Sequence, residues 1–426
     1  MQDGRAGFRI PRFRQDRLVG ARGLLMNTNP TLSDAEIRRG FLIAGGLALG
    51  IAVSNGIARF AYALILPAMQ ADLGWSYTQA GALGTANAVG YLIGSFVALA
   101  SIRRLGPSTL FNVGMWVTAA AILLMGFVDS FTTMIVLRTI AGISGATVFI
   151  SGSVLAASIF PGNSRLAASA IAIYFSGGGL GLLLPGLTLP WLFAVGGDAV
   201  WPWAWIGLGL FSGLVSVLTT ASSRRVTAPP AQKSPHPWSR MPMFPIFLAY
   251  ALNALGYFAY MTFIVAWMRQ HGATAADVAS MWIVLALSAT LSFRIWARPI
   301  ASWRGGTSIA VIQFAVGIGA LLPLLGTSLP FMLLSAVLFG FFFMVPAAIT
   351  AFVKTSLPPV VWGEAVAAFT LTFAALQIVG PIVTGAIADR TGSLAWGLGA
   401  SAAILIVGAL IALLQREHPY QQDAAA

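Results

Sequence analysis

"NGIARFAY", Asn55 to Tyr62, recurs as "NALGYFAY", Asn253 to Tyr260, 198 residues later (253 minus 55), with Asn, Phe, Ala and Tyr at identical spacing. Each copy lies in the first of six long apolar segments, so the pair reads as an internal duplication. A second echo lies near an offset of 200, where the fourth segment of each set opens on phenylalanine, at Phe131 and Phe331. Only the first copy carries a permanent charge, Arg59.

The surroundings explain why that charge matters. Of 426 residues, 58% are hydrophobic and 8% charged, with mean hydropathy +0.84, whereas a soluble domain is about a quarter charged. Stretches of roughly 20 apolar residues, enough to cross a bilayer, recur from Phe41 almost to the C-terminus. The sequence therefore predicts an all-α integral membrane protein. Its twelve transmembrane helices are expected as two six-helix bundles related by pseudo-two-fold symmetry. The expected division is a basic tail at 1–40, a first bundle at 41–221, a linker at 222–243, a second bundle at 244–415 and a short tail at 416–426.

The net charge of +12 does not call for nucleic acid, because Lys and Arg concentrate in the N-terminal tail and in alternate loops. Arg103, Arg104, Arg165, Arg224, Arg225, Lys233, Arg240, Arg298, Arg304 and Lys354 share one side, against Arg269 and Arg390 on the other. By the positive-inside rule both termini face the cytoplasm. Cysteine is absent and the three histidines, His236, His271 and His418, fall in loops or at segment ends, so neither a metal site nor a cofactor is expected. Residues 1–39 carry no long apolar core and are not a signal peptide. Met26 looks like an alternative start, and Ser33 with Glu36 forms a candidate capping box.

The stretch "LPAMQADLGWSYTQAGALGTANAVGYLIGS", Leu66 to Ser95, resembles the first-to-second helix passage of the major facilitator superfamily. "RTIAGISGA", Arg138 to Ala146, resembles that family's fourth-helix motif, and "GGGLGLLLPG", Gly177 to Gly186, resembles loosely its fifth-helix glycine and proline motif, associated with antiporters. The loop "ASIRRLGPS" lacks the acidic residue of the family's usual cytoplasmic motif, as does "RPIASWRGG" in the second half. The resemblance implies a bacterial inner-membrane secondary transporter, functional as a monomer. It also implies a central cavity lined by the first, fourth, seventh and tenth helices, and parallel repeats that rock to give alternating access.

On an α-helix, positions i, i+4 and i+7 share a face, which joins Asn55, Arg59 and Tyr62 into one polar stripe. Arg59 lies about ten residues from the helix end, roughly 15 Å deep, and Arg138 on the fourth helix roughly 10 Å deep at ~1.5 Å per residue. Charges at such depth mark a functional site by default. All twelve Asp and Glu lie in tails, loops or helix ends, so the simplest counter-charge is an anionic substrate accepting bidentate hydrogen bonds. A small carboxylate-type organic anion is expected, its charged end on Arg59 and Arg138 and its apolar body against Tyr257, Tyr260 and Phe343, near Asn253. Plainer readings stand beside these. Backbone carbonyls or a loop acid can hold Arg138, the phenylalanines of "FGFFFM" can be lipid-facing or core packing, the fifth-helix glycines can serve close approach, and Gln377 and Thr372 can be ordinary interhelical hydrogen bonders.

Arginine does not release its proton in a protein, so proton coupling would fall to Asp72, Glu364 or Asp389 near helix ends, or to the substrate itself. An empty carrier with two unpaired charges should close reluctantly, which favours exchange. The alternative is a proton-coupled exporter of drug-like or amphipathic metabolites. No nucleophile, acid–base pair or metal site occurs at membrane depth, so an enzyme is not expected.

Overall fold

The computed structural model describes residues 32–227, 241–358 and 361–416. The expectations on the tail before residue 32 with Met26, on 228–240 with His236, Lys233 and Arg240, and on the tail from 417 with His418 lie outside these residues. Among the described residues twelve helices are long and apolar enough to cross a membrane. In the first half these are α1 (Asp34–Leu73), α2 (Tyr77–Leu105), α3 (Pro107–Met125), α4 (Phe131–Ala157), α5 (Arg165–Gly196) and α6 (Asp198–Ser223). In the second they are α7 (Met241–Gln270), α8 (Ala275–Ser302), α9 (Thr307–Leu325), α10 (Leu329–Ser356), α11 (Trp362–Thr391) and α12 (Leu394–Leu413). The end carrying the α1–α2, α3–α4, α5–α6, α7–α8, α9–α10 and α11–α12 connections is termed distal, the other proximal.

The duplication extends to turn chemistry. Gly74 and Gly272, 198 apart, both adopt positive φ, 65° and 78°, after α1 and α7, a conformation that glycine accepts without strain. Two residues on, Ser76 and Thr274 both close capping boxes, with Gln79 and Asp277. Ser130 and Ser328, again 198 apart, are the N-caps of α4 and α10. Thus α10 opens at Leu329, two residues before Phe331, because Pro330 fits the first helical turn. Near the N-terminus, the backbone N–H of Ser33 donates to Glu36 Oε2 at 2.9 Å while that of Glu36 donates to Ser33 Oγ at 3.3 Å, forming the expected capping box.

Within the first half α4 packs on α2 and α3, α6 on α3, and α5 on the middle of α1. Within the second, α12 packs on α9 and α7, and α10 on α8 and α9. Across the halves α5 meets α8, α2 meets α11 and α1 meets α7. The glycines of α5 permit this closeness. A Cβ on Gly177 or Gly181 would run into the backbone of Ala48 or Ala52 of α1, and one on Gly56 into the backbone of Gly181.

Three helices lose their α geometry near one level. In α1, residues Ala52–Phe60 form a π-helical turn, with the N–H of Ala61 donating to Gly56 O at 3.0 Å. Helix α11 breaks at 377–378, between Trp362–Leu376 and Val379–Thr391, and α10 tightens to a 3-10 turn over Gly340–Phe343. Proline explains the last two. Pro381 has no N–H for the carbonyl of Gln377 four residues earlier, and Pro346 has none for that of Phe342. The carbonyl of the next residue, Ile378, accepts from Thr85 Oγ1 of α2 at 2.8 Å.

Candidate functional site

The two repeat-related residues, Arg59 and Tyr257, meet each other. Arg59 Nη2 donates to Tyr257 OH at 3.0 Å and to Gln377 Oε1, and Tyr257 OH donates to the same Gln377 oxygen at 3.3 Å. The three side chains thus form a closed triangle across the interface between halves. Arg59 lies 14 residues before the end of its helix (73 minus 59) and Gln377 14 before the end of α11 (391 minus 377), each about 21 Å from the distal end if the helices were ideal.

Aromatic rings close around the guanidinium. Its central carbon lies 4.6 Å from the ring centroid of Phe258, 4.9 Å from Tyr91 and 5.6 Å from Phe60, and such contacts contribute up to about 2 kcal/mol each when desolvated. Tyr257 stacks on Phe342 at 5.4 Å and on Phe373 at 5.3 Å. Arg59 is 5% exposed and Gln377 fully buried. Arg59 Nε and Gln377 Nε2 nevertheless have no hydrogen-bond partner, so two donors stand open beside one another's residues. Every Asp and Glu among the described residues is exposed or half-buried, and no carboxylate neutralises this charge.

The π turn divides the expected stripe. Asn55 and Arg59 stay buried on it, but Tyr62 lies beyond it, and its hydroxyl donates to Ala80 O of α2 at 2.7 Å. Arg138 stands with Tyr62 rather than with Arg59. Its guanidinium carbon lies 4.7 Å from the Tyr62 ring, Nη1 donates to Ala58 O at 2.5 Å and Nε to Leu83 O at 3.4 Å. Backbone carbonyls hold Arg138, the plainer of its two sequence readings, and one of them belongs to the residue before Arg59. Arg138 Nη2 has no partner.

In the second half, Asn253 is buried on α7 with Oδ1 unpartnered. Tyr260 turns into its own bundle, its hydroxyl 2.5 Å from Ser335 Oγ and its ring stacked on Phe339 at 3.9 Å. Phe343 packs edge-on against Phe60 at 6.2 Å, while Phe342 makes the direct stack on Tyr257. The coupling candidates stand apart from Arg59. Asp72 accepts from Trp201 Nε1 at 2.8 Å, Glu364 is exposed in the first turn of α11, and Asp389 is tied to the start of α2. Of the residues around Arg59, the sequence offers Gln377 only as an ordinary interhelical hydrogen bonder and gives no site role to Tyr91, Phe258 or Phe373. The Gly380-Pro381 pair behind Gln377 was the available signal.

Distal contacts hold the halves together. Asp389 accepts from the N–H groups of Tyr77 and Thr78, both at 2.8 Å, and from Thr78 Oγ1 at 2.5 Å. Arg269 pairs with Asp198 at 2.7 Å, and Gln270 bonds Tyr77 OH. A cavity of about 200 Å³ opens near this end, lined by Leu64, Pro190, Val265 and Arg269 among others; it does not reach Arg59.

Several solved structures share this fold. A bacterial homolog of the human lysosomal transporter Spinster, solved in an inward-facing and unoccupied conformation, superposes with a TM-score of 0.66 at 17% identity, covering 90% of this chain and 98% of that one. A mutant form of the nucleoside transporter NupG gives 0.65 at 12% identity, covering 87% and 98%. At such identities the likeness concerns the fold. Among curated proteins no sequence matches. Residues 51–413 match the family described as the uncharacterised MFS-type transporter YbfB, and with twelve spanning helices, a duplicated half and a match over most of its length, the chain belongs to this family of MFS-type transporters.

Proposed function

We propose that the protein moves a small organic anion of the carboxylate type across the bacterial cytoplasmic membrane by alternating access, as a single chain with both termini cytoplasmic. One observation carries the reading: a buried guanidinium whose protein partners are all neutral, with Arg59 Nε and Gln377 Nε2 left as open donors beside it. A carboxylate accepts bonds from one edge of a guanidinium in parallel, an arrangement stronger than neutral hydrogen bonds. Phe342, Phe373 and Phe258 supply apolar faces for the body of the molecule. The orientation rests on the proximal clustering of Arg103, Arg104, Arg224, Arg225, Arg298 and Lys354.

The case for exchange assumed two uncompensated charges. With backbone carbonyls on Arg138 and neutral acceptors on Arg59, that premise weakens, and the fate of the empty site turns on Gln377. The competing reading, proton-coupled export of drug-like or amphipathic metabolites, draws on the same aromatic rings. Its glycine argument loses force because Gly177 and Gly181 are needed for packing on α1. The test is a thermal-shift screen of the purified chain against mono- and dicarboxylates, nucleosides and cationic dyes, since a ligand that binds only the folded state stabilises it. Stabilisation by carboxylates, lost in Arg59→Gln, is expected; stabilisation by cationic dyes alone would reject the anion reading in favour of the exporter.

A further inference from the structure

We propose that Gln377 is a built-in stand-in for the substrate's carboxylate, which lets the unloaded transporter close around Arg59; the inference rests on the anion reading above. A guanidinium at this depth cannot be left without acceptors when water is shut out, because a buried unpaired charge is far less stable than a paired one. In the structure Gln377 Oε1 occupies an acceptor position on Nη2, and Tyr257 OH completes it. The amide's orientation follows from this contact, since the reverse would set an N–H₂ group against the guanidinium N–H groups.

The placement suits an exchangeable partner better than a fixed one. Gln377 belongs to the half opposite Arg59 and sits at the break in α11, where Pro381 has removed the helical bond to its carbonyl. Its Nε2 bonds nothing. If the amide turns over, the same side chain changes from acceptor towards Arg59 to donor towards an anion. The vacated Nη2 and the open Nε then present two parallel donors to the two oxygens of a carboxylate. One residue therefore serves both the empty and the loaded site, and it does so without placing in the membrane a fixed negative charge that would compete with substrate.

The chain has no cysteine, so a single Thr262→Cys reports closure. Thr262 is 3% exposed and lies beneath Gly84, where α2 approaches Pro381 of α11. Thiol labelling is measured on the full chain in nanodiscs in carboxylate-free buffer. Gln377→Ala should raise the labelling rate at least about tenfold, as expected for losing a hydrogen bond to a charged group, and acetate or benzoate should bring it back towards wild type. Combining Gln377→Ala with Arg59→Met should erase the increase, because no charge then needs an acceptor; a purely packing role would leave it intact. Gln377→Glu, which pairs Arg59 permanently, should label no faster than wild type and ignore acetate. An unchanged rate in Gln377→Ala, or an increase that persists without Arg59, overturns the proposal. An increase erased by Arg59→Met but indifferent to acetate and benzoate supports the stand-in and overturns only the carboxylate assignment. In proteoliposomes Gln377→Ala should lose net benzoate flux while keeping benzoate–benzoate exchange.

Discussion

At the distal end the carboxylate of Asp389 reaches across the interface and accepts three hydrogen bonds at the first turn of α2, two from backbone N–H groups and one from Thr78. That turn already has its own cap in Ser76, so the carboxylate adds charge at the positive end of the helix and ties it to the other half. Asp389→Asn keeps one acceptor oxygen and turns an N–H₂ group towards the remaining donors, losing at least one charged hydrogen bond. At about 1.5–3 kcal/mol for such a bond, and about 1.4 kcal/mol per tenfold, distal opening should become about 10- to 150-fold more frequent. The exposure of Asp389 pulls the expectation to the lower end. Labelling of Thr262→Cys, buried behind this contact, measures the change directly. The control is Asp129→Asn, an exposed distal carboxylate expected to leave the rate alone. Equal labelling in Asp389→Asn and wild type would refute the view that this bond holds the distal side shut.

Three further outcomes follow from the packing. Gly181→Val forces two methyl groups against the backbone of Ala52 and should lower the melting temperature in line with about 1–3 kcal/mol of overpacking, whereas Gly207→Ala, with open space around it, should be neutral. Arg138→Lys keeps the charge but loses the fork that spans Ala58 O and Leu83 O; it should destabilise the chain with or without ligand, measured by thermal unfolding in both conditions. Asp198→Ala removes an ion pair about one-third exposed on each side, so a change under about 1 kcal/mol that fades at high salt is expected in the same assay.

The fold was legible because its signals are long and redundant. Twelve apolar stretches and the Asn-Phe-Ala-Tyr repeat report one architecture, and the Ser76 and Thr274 caps seen in the structure fall at the repeat's own offset. Arg59 was legible for the opposite reason, as a single costly exception within that pattern. What periodicity misplaced was Tyr62, since the i, i+4, i+7 rule presumes α geometry and the π turn over Ala52–Phe60 leaves Tyr62 on the α2 side with Arg138. Tyr260 was misplaced by pairing strength. Its hydroxyl finds Ser335 inside its own bundle, a contact invisible in one dimension. Gln377 reads in one dimension as an ordinary interhelical hydrogen bonder, as glutamines in spanning helices commonly are, and only three-dimensional proximity to Arg59, 318 residues away, gives it a role at the charge.

Duplication makes two halves that begin identical, and a residue near the pseudo-two-fold axis meets its own copy. Two arginines at this position would face each other at hydrogen-bond distance, a like-charge contact that burial makes prohibitive. Arg59 opposite Tyr257 solves this, since a phenol accepts from the guanidinium and adds a ring face without adding charge. The asymmetry also fixes the polarity of the site. The first half supplies the cation on a π turn steadied by Arg138, and the second supplies neutral acceptors on an interrupted helix. Rocking of the halves would then move donor and acceptors relative to one another. On the proposed reading, a ligand bridging Arg59 to Gln377 would be bound most tightly with the halves closed upon it, the coupling between occupancy and closure that alternating access requires.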